Sequence, residues 1–170
     1  LETLLRELNL IENFLPKNIK LSHLHLGGGT PTLLEPSQLE YLISGIYNIF
    51  EPNSSTDFSI EIDPTQITST QIKSLKKYGL NRCSFGVQDF DVEIQRAIGR
   101  RQTITQTKTA IELARQENIN SINLDLVYGL PLQSPEKMKY TVNRAIEFSP
   151  DRVALYGDAH VPWMVARQKM

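Results

Sequence analysis

The sequence holds one cysteine in 170 residues, and neither charge is in surplus. A single cysteine excludes an internal disulfide and any metal site built from several thiolates of this chain. Eighteen Lys and Arg against nineteen Asp and Glu leave a net charge of −1, with no basic block. Nucleic-acid binding rests on neutralising phosphates, so no nucleic-acid partner is expected. No apolar run approaches the roughly 20 residues of a membrane span. No n-region, h-region and cleavage site appear in order, so nothing points to secretion. The expected setting is the cytoplasm. The length suits about one domain, and 40% apolar with 22% charged residues is ordinary for a soluble globular chain. The first residue is not Met, and both ends fall inside apparent elements. The expectation is therefore one domain, residues 1–170, cut from a longer protein at both ends.

What is present is an alternation. Five runs read as strands: Lys20–Leu26, Asp57–Ile62, Arg82–Val87, Ser121–Tyr128 and Arg152–Tyr156. Helical patterns separate them. Thr68 with Gln71, and Thr103 with Gln106, have capping-box spacing. Gly79 stands where a helix would stop. Ser134-Pro135 supplies an N-cap and a proline at the first helical position, and Pro36 opens a helix running to Phe50. Leu1, Leu4, Leu5, Leu8, Ile11 and Leu15 share one helical face ahead of the first strand. The order is α, then βα four times, then β, which implies parallel strands with right-handed crossovers. A doubly wound sheet and a (βα) barrel both remain open. Alternation in "SHLHL", "SIEID" and "SINLDL" puts polar groups on one face, as a ligand-holding barrel interior requires, and favours the barrel.

The stretch "GGGTPT" (Gly27–Thr32) follows the first strand. It lacks the Lys-Ser or Lys-Thr of a P-loop and the G-x-G-x-x-G of a dinucleotide fold. The other strands end similarly in polar or glycine residues: Glu61 and Asp63, then Gly86, Gln88 and Asp89, then Asp125 and Gly129, then Gly157, Asp158 and His160. Parallel α/β folds bind ligands at that end of the sheet, so the clustering predicts one site. Glycine backbone lets a ligand approach. Glu61 and Asp125 suit an ammonium group or ribose hydroxyls. Arg100 suits a carboxylate in a two-pronged pair. Together they suit an amino acid joined to a nucleoside, such as S-adenosylmethionine, among other zwitterions. Each residue also has a plainer reading: a tight turn for the glycines, a capping or paired carboxylate for Glu61 and Asp125, a solvated pair for Arg100-Arg101. Cys83 reads as a small buried hydrophobe. His23 and His25 share a strand face, but no third metal ligand stands near them in sequence.

"GGGTPT", "SIEIDP", "FGVQDFD", "IQRAIGRRQT", "NLDLVYGLPLQ" and "SPDRVALYGDAHVPWM" resemble, in order, the radical S-adenosylmethionine enzymes. "VQDF" and "AHVPWM" narrow the resemblance to the oxygen-independent coproporphyrinogen III oxidases (coproporphyrinogen dehydrogenases). Related haem chaperones more usually read "VQSF", and one of these, binding haem without decarboxylation, is the alternative. The resemblance implies an α/β fold, part of a (βα)₆ partial barrel. It implies S-adenosylmethionine and a 4Fe-4S cluster as cofactors. It also implies oxidative decarboxylation of two propionates of coproporphyrinogen III to give protoporphyrinogen IX for haem, with an electron donor and an acceptor. Matching the motifs, Gly28, Glu61 and Ala159 would contact the S-adenosylmethionine that is cleaved. Gly29, Thr30, Gln88, Arg100 and Asp125 would line a second position for the same cofactor. The family's C-x-x-x-C-x-x-C cluster motif is absent, so its ligands are expected upstream of Leu1, and the isolated chain is expected to be inactive. Asp158 stands where the family more often has an aromatic.

Overall fold

The computed structural model describes residues 1–17, 19–159 and 161. His160, Pro162, Trp163 and Met164, singled out in the last motif, lie outside the described residues. Among the described residues, six α-helices, a short 3₁₀ turn and five strands alternate: α1 (Glu2–Glu12), β1 (Lys20–Leu26), the 3₁₀ turn (Pro31–Leu33), α2 (Pro36–Ile49), β2 (Glu51–Ile62), α3 (Ser69–Lys77), β3 (Arg82–Gln88), α4 (Val92–Ala97), α5 (Ile104–Gln116), β4 (Ser121–Tyr128), α6 (Pro135–Glu147) and β5 (Arg152–Gly157). The sheet order is β1-β2-β3-β4-β5, and every neighbouring pair is parallel. A doubly wound sheet reverses its strand order at a switch point. This order never reverses, so the chain winds one way only and curls as part of a barrel.

Register decides which face each residue takes, because side chains alternate along a strand. Phe58, Ile60 and Ile62 of β2, Cys83, Phe85 and Val87 of β3, and Ile122, Leu124 and Leu126 of β4 are buried under the helices. Leu39, Ile43, Ile72, Leu75, Ile111 and Ala114 come down from α2, α3 and α5 to complete that core. The intervening positions line up across strands on the opposite face. Glu61 pairs with Ser84, Ser84 with Asn123, Gly86 with Asp125 and Asp125 with Ala154. The sheet is apolar toward the helices and polar toward the inside of the curl.

The helix ends follow the sequence signals. Thr68 and Thr103 both make reciprocal capping boxes, with Gln71 and Gln106. The Ser134 hydroxyl accepts from the Lys137 amide, and Gly79 takes φ +93° just past α3. Three features differ from the sequence reading. β2 starts six residues early, because Glu51 and Pro52 pair with Lys20 and Leu21 before the register shifts to His23 with Asp57. The segment between closes on itself through Thr56 Oγ1 and Asn53 Oδ1, which accept from the amides of Asn53 and Ser55. A six-residue helix, α4, capped by Asp91, stands where the sequence reading assigned no element. None of the expected apolar face of α1 is fully buried. That helix lies on α2 rather than the sheet, with Leu5 so close to Gly45 that a β-carbon there would stand 2.6 Å from Leu5 Cδ2.

Candidate functional site

The glycine run emerges from β1 into the polar mouth of the curl, and its three glycines answer different demands. Gly28 and Gly29 have φ of +74° and +57°, in the left-handed region that costs other residues. Nothing lies within 4 Å of where their β-carbons would stand, so the space beside them is open. Gly27 instead is pressed from the side. A β-carbon there would meet His25 Nε2 at 2.5 Å and Glu61 Oε1 at 3.0 Å. His25 is held between β1 and β2, its Nδ1 2.8 Å from Ser59 Oγ and its Nε2 3.5 Å from Glu61 Oε1. Glu61 Oε2 in turn accepts from the Gly28 amide at 3.2 Å. The loop then leaves through Thr30-Pro31. Gln71, besides closing the α3 box, donates to the carbonyls of Thr32 and Leu34, both at 2.8 Å. A helix cap thus fixes the exit of the glycine loop.

Deeper in the curl, Asp125 accepts from Ser84 Oγ at 2.8 Å and from Asn123 Nδ2 at 2.7 Å. Arg100 reaches in from beyond α4. Its Nη2 donates to Gly86 O and to Gln102 Oε1, both at 2.9 Å. Either two-pronged grip of a guanidinium on a carboxylate uses Nη2, so such a grip requires one of these bonds to be given up. Two polar atoms are buried without a hydrogen-bond partner among the described residues here, Arg100 Nε and Asn123 Oδ1.

Between these groups lies a cavity of about 140 Å³. Of the eight residues expected in a site, Gly29, Thr30, Glu61, Gln88, Arg100 and Asp125 line it together, and Gly28 adjoins it through Glu61. Ala159, two residues past β5, is not among the lining residues. Sequence reasoning missed Ser84, Asn123 and Gln102, which hold the lining side chains. The polar alternation in β3 and β4 carried that signal for the first two. A larger cavity, about 890 Å³, lies on the outer side between Phe90, Arg96, Ile104 and Tyr140. Its greater size does not make it the site, since of the expected residues it holds only Arg100. Asp158, the departure from the family pattern, donates its amide to Tyr128 O at 2.8 Å and so ties the ends of β4 and β5.

Cys83 lies on the apolar face, fully buried, and burial pushes its thiol up to about 12 against a small opposing pull from Lys76. It points away from the polar curl and can ligate nothing there. No group of three or more His, Cys, Asp or Glu side chains among the described residues could hold a metal ion.

The fold defined here is a one-way parallel α/β partial barrel with a polar interior, entered beside a glycine turn. Residues 2–145 match the radical SAM superfamily, and the chain belongs to that superfamily. It is 45% identical to the oxygen-independent coproporphyrinogen III oxidase of Paracoccus denitrificans, over 99% of this chain and 38% of that protein. It is 42% identical to the protein of the same name from Pseudomonas aeruginosa, over 95% of this chain and 36% of that one. Among solved structures, the coproporphyrinogen III oxidase of Escherichia coli, described as a radical SAM enzyme, superposes with a TM-score of 0.82. The identity is 40%, over 87% of this chain and 34% of that one. The archaeal Elp3 of Methanocaldococcus infernus shares the fold at a TM-score of 0.72 and 22% identity, over 92% of this chain and 41% of that one. The chain spans little more than a third of the length of the curated relatives it matches.

Proposed function

We propose that this chain is the central barrel segment of an oxygen-independent coproporphyrinogen III oxidase, and that the polar curl holds S-adenosylmethionine. The observation that carries the reading is the meeting of six motif residues around one cavity, in a chain 40–45% identical to proteins of that name along most of its length. A pocket for a drug-sized ligand runs to about 300–1,000 Å³. The cavity's 140 Å³ therefore suits one end of a longer molecule. The open space beside Gly28 and Gly29 accepts a ligand backbone-first. The carboxylates of Glu61 and Asp125 match an ammonium or ribose hydroxyls, and Arg100 matches a carboxylate once Gln102 yields. In this assignment Gly28, Glu61 and Ala159 touch the cofactor that is cleaved, and Gly29, Thr30, Gln88, Arg100 and Asp125 line a second position.

When bound and reductively cleaved, S-adenosylmethionine supplies the acceptor for a hydrogen atom. Each reacting –CH₂–CH₂–COO⁻ becomes –CH=CH₂ by losing one hydrogen atom, one electron and CO₂, so an external electron donor and acceptor are required. The residues here bind and orient, with side-chain hydrogen bonds fixing Asp125 and Arg100 before any ligand arrives. A 4Fe-4S cluster does not fit within this chain. Such a cluster takes several thiolates, and the single thiol is buried on the wrong face. Its ligands are assigned to the whole protein beyond these residues, and its setting to the cytoplasm.

The test uses the full-length protein, reconstituted without oxygen, with Glu61→Gln and Asp125→Asn variants beside the parent. S-adenosylmethionine affinity and protoporphyrinogen IX formation should both fall at least tenfold in each variant, as loss of a charged hydrogen bond predicts. Variants that bind and turn over like the parent would overturn the site assignment.

A further inference from the structure

Gln88 is strained. It is the last residue of β3, its φ is +68°, and it is not glycine. The amide of Asp89 donates to Val87 O at 2.9 Å across it, closing a three-residue turn of the rare positive-φ kind. The ladder to β4 slips at the same point, from Gly86 with Asp125 to Gln88 with Leu126. Such backbone is costly and persists only where its surroundings over-determine it. What surrounds it is a clamp. Asp89 is wholly buried. Its Oδ1 accepts from Thr141 Oγ1 of α6 and from the Asp91 amide, both at 2.7 Å, and its Oδ2 accepts from Gln133 Nε2 at 2.6 Å. Gln133 also donates to Val127 O at 3.0 Å and accepts from the Gly129 amide at 2.7 Å, so it grips the end of β4. Gln95 donates from one amide to the carbonyls on both sides of Gln88, Val87 O and Asp89 O. The strained residue faces the cavity, with its Nε2 3.3 Å from where a β-carbon on Gly86 would stand.

We infer that Asp89 is a positioning residue: its buried carboxylate, with Gln95 and Gln133, holds the turn at Val87–Asp89 that aims Gln88 into the polar cavity. Asp89 touches no part of the cavity and acts through its neighbour. Its negative charge lets all three donors be accepted at once. An amide of the same shape would present N–H to Gln133 Nε2, which can only donate at that atom, and would unpin the β4 end as well. The effect on ligand rests on the cofactor reading above; the effect on the turn does not.

Two measurements on the full-length protein keep those apart. The first is hydrogen exchange at the Asp89 amide without ligand, in the parent and in Asp89→Asn. Protection should fall about tenfold or more in the variant, as loss of a charged, buried hydrogen bond implies; unchanged protection overturns the clamp. The second is a double-mutant cycle on S-adenosylmethionine affinity. Asp89→Asn should weaken binding about tenfold alone and less than about twofold in a Gln88→Ala background. Equal losses in both backgrounds would make Asp89 merely structural and overturn the role assigned through Gln88. A parent that binds no S-adenosylmethionine defeats the cofactor reading, while the exchange result still decides the clamp. Should Asp89→Asn fail to fold, Thr141→Val removes one of the three bonds and is read in the same two measurements, with smaller losses of the same sign.

Discussion

At the scale of residues, the site is a set of side chains already held by their neighbours. Gly28 and Gly29 are needed for their φ and Gly27 for its contact with His25 and Glu61, a division that three identical letters cannot show. Gly28→Ala should cost about 1 kcal/mol of stability, the usual penalty for a side chain in the left-handed region. Chemical denaturation of the variant checks it, and the cost should come without displacing His25, because nothing crowds that β-carbon. Cys83 gives an independent reading of the core. With its thiol pushed up to about 12 by burial, almost none is thiolate at pH 8. A disulfide reagent at that pH should leave the native protein unlabelled and label it promptly in denaturant. Rapid labelling of the native state would mean that the β3 face is not packed as described. Gly29, Glu61, Gln88, Arg100 and Asp125 could be singled out in the sequence because each sits in a recognisable motif, and the fold brings them around one cavity. Ser84 and Asn123 were legible only as polar positions on one strand face, since nothing local names their partners 39 and 41 positions away, and Gln102, between α4 and α5, carried no strand signal at all.

At the scale of elements, the capping signals were the most legible part of the chain. Thr68, Thr103 and Ser134 all cap as their spacing implies, because a cap is a local arrangement of four residues. The early part of β2 was hidden for the opposite reason. Pro52, Asn53, Ser54 and Ser55 carry turn chemistry; only Glu51 and Pro52 pair with β1, and Asn53, Ser54 and Ser55 lie in the register shift that follows. Helix α4 was hidden by its length, under two turns, too short for a periodic pattern. Asp91 holds it, accepting from the amides of Glu93 and Ile94, and pairs with Lys137 at 3.3 Å. Burial opposes the charge on Asp91, but the Ile94 amide, Lys137 and the Glu93 amide together outweigh it and hold the carboxyl below its ordinary value. A folded-state pKa below the unfolded one stabilises at neutral pH and is lost as pH falls through it. Asp91→Ala should therefore cost about 1 kcal/mol near pH 7, as for other N-caps. The gap to the parent should close on acidification below the ordinary carboxylate value of about 4. Thermal melts of both proteins across that range provide the check, and a gap that widens in acid would contradict the assignment.

At the scale of the whole molecule, β1 and β5 are the edges of the sheet, each without a further strand partner among the described residues. Its last strand also leaves apolar side chains in solvent. Val153 and Leu155 are 42% and 53% exposed on the face that the helices cover elsewhere, and Tyr156 is also exposed. Open edges with apolar neighbours invite pairing with another chain. The 170-residue polypeptide expressed alone should self-associate at micromolar concentration, and Val153→Thr with Leu155→Thr should shift it toward monomer in light scattering. The parallel βα architecture was legible from the alternation, and the polar strand faces favoured a barrel, whereas the one-way winding that sets aside a doubly wound sheet needed the strand order. The central claim, that this barrel belongs to an enzyme that decarboxylates coproporphyrinogen III, is tested most directly by turnover. The full-length protein, with its cluster reconstituted, is incubated without oxygen with S-adenosylmethionine, a reductant, an electron acceptor and coproporphyrinogen III, and the porphyrin products are resolved by mass. The account predicts a product in which two propionates have become vinyl groups, formed only when S-adenosylmethionine is present. Coproporphyrinogen III recovered unchanged, with haem bound tightly instead, would contradict it.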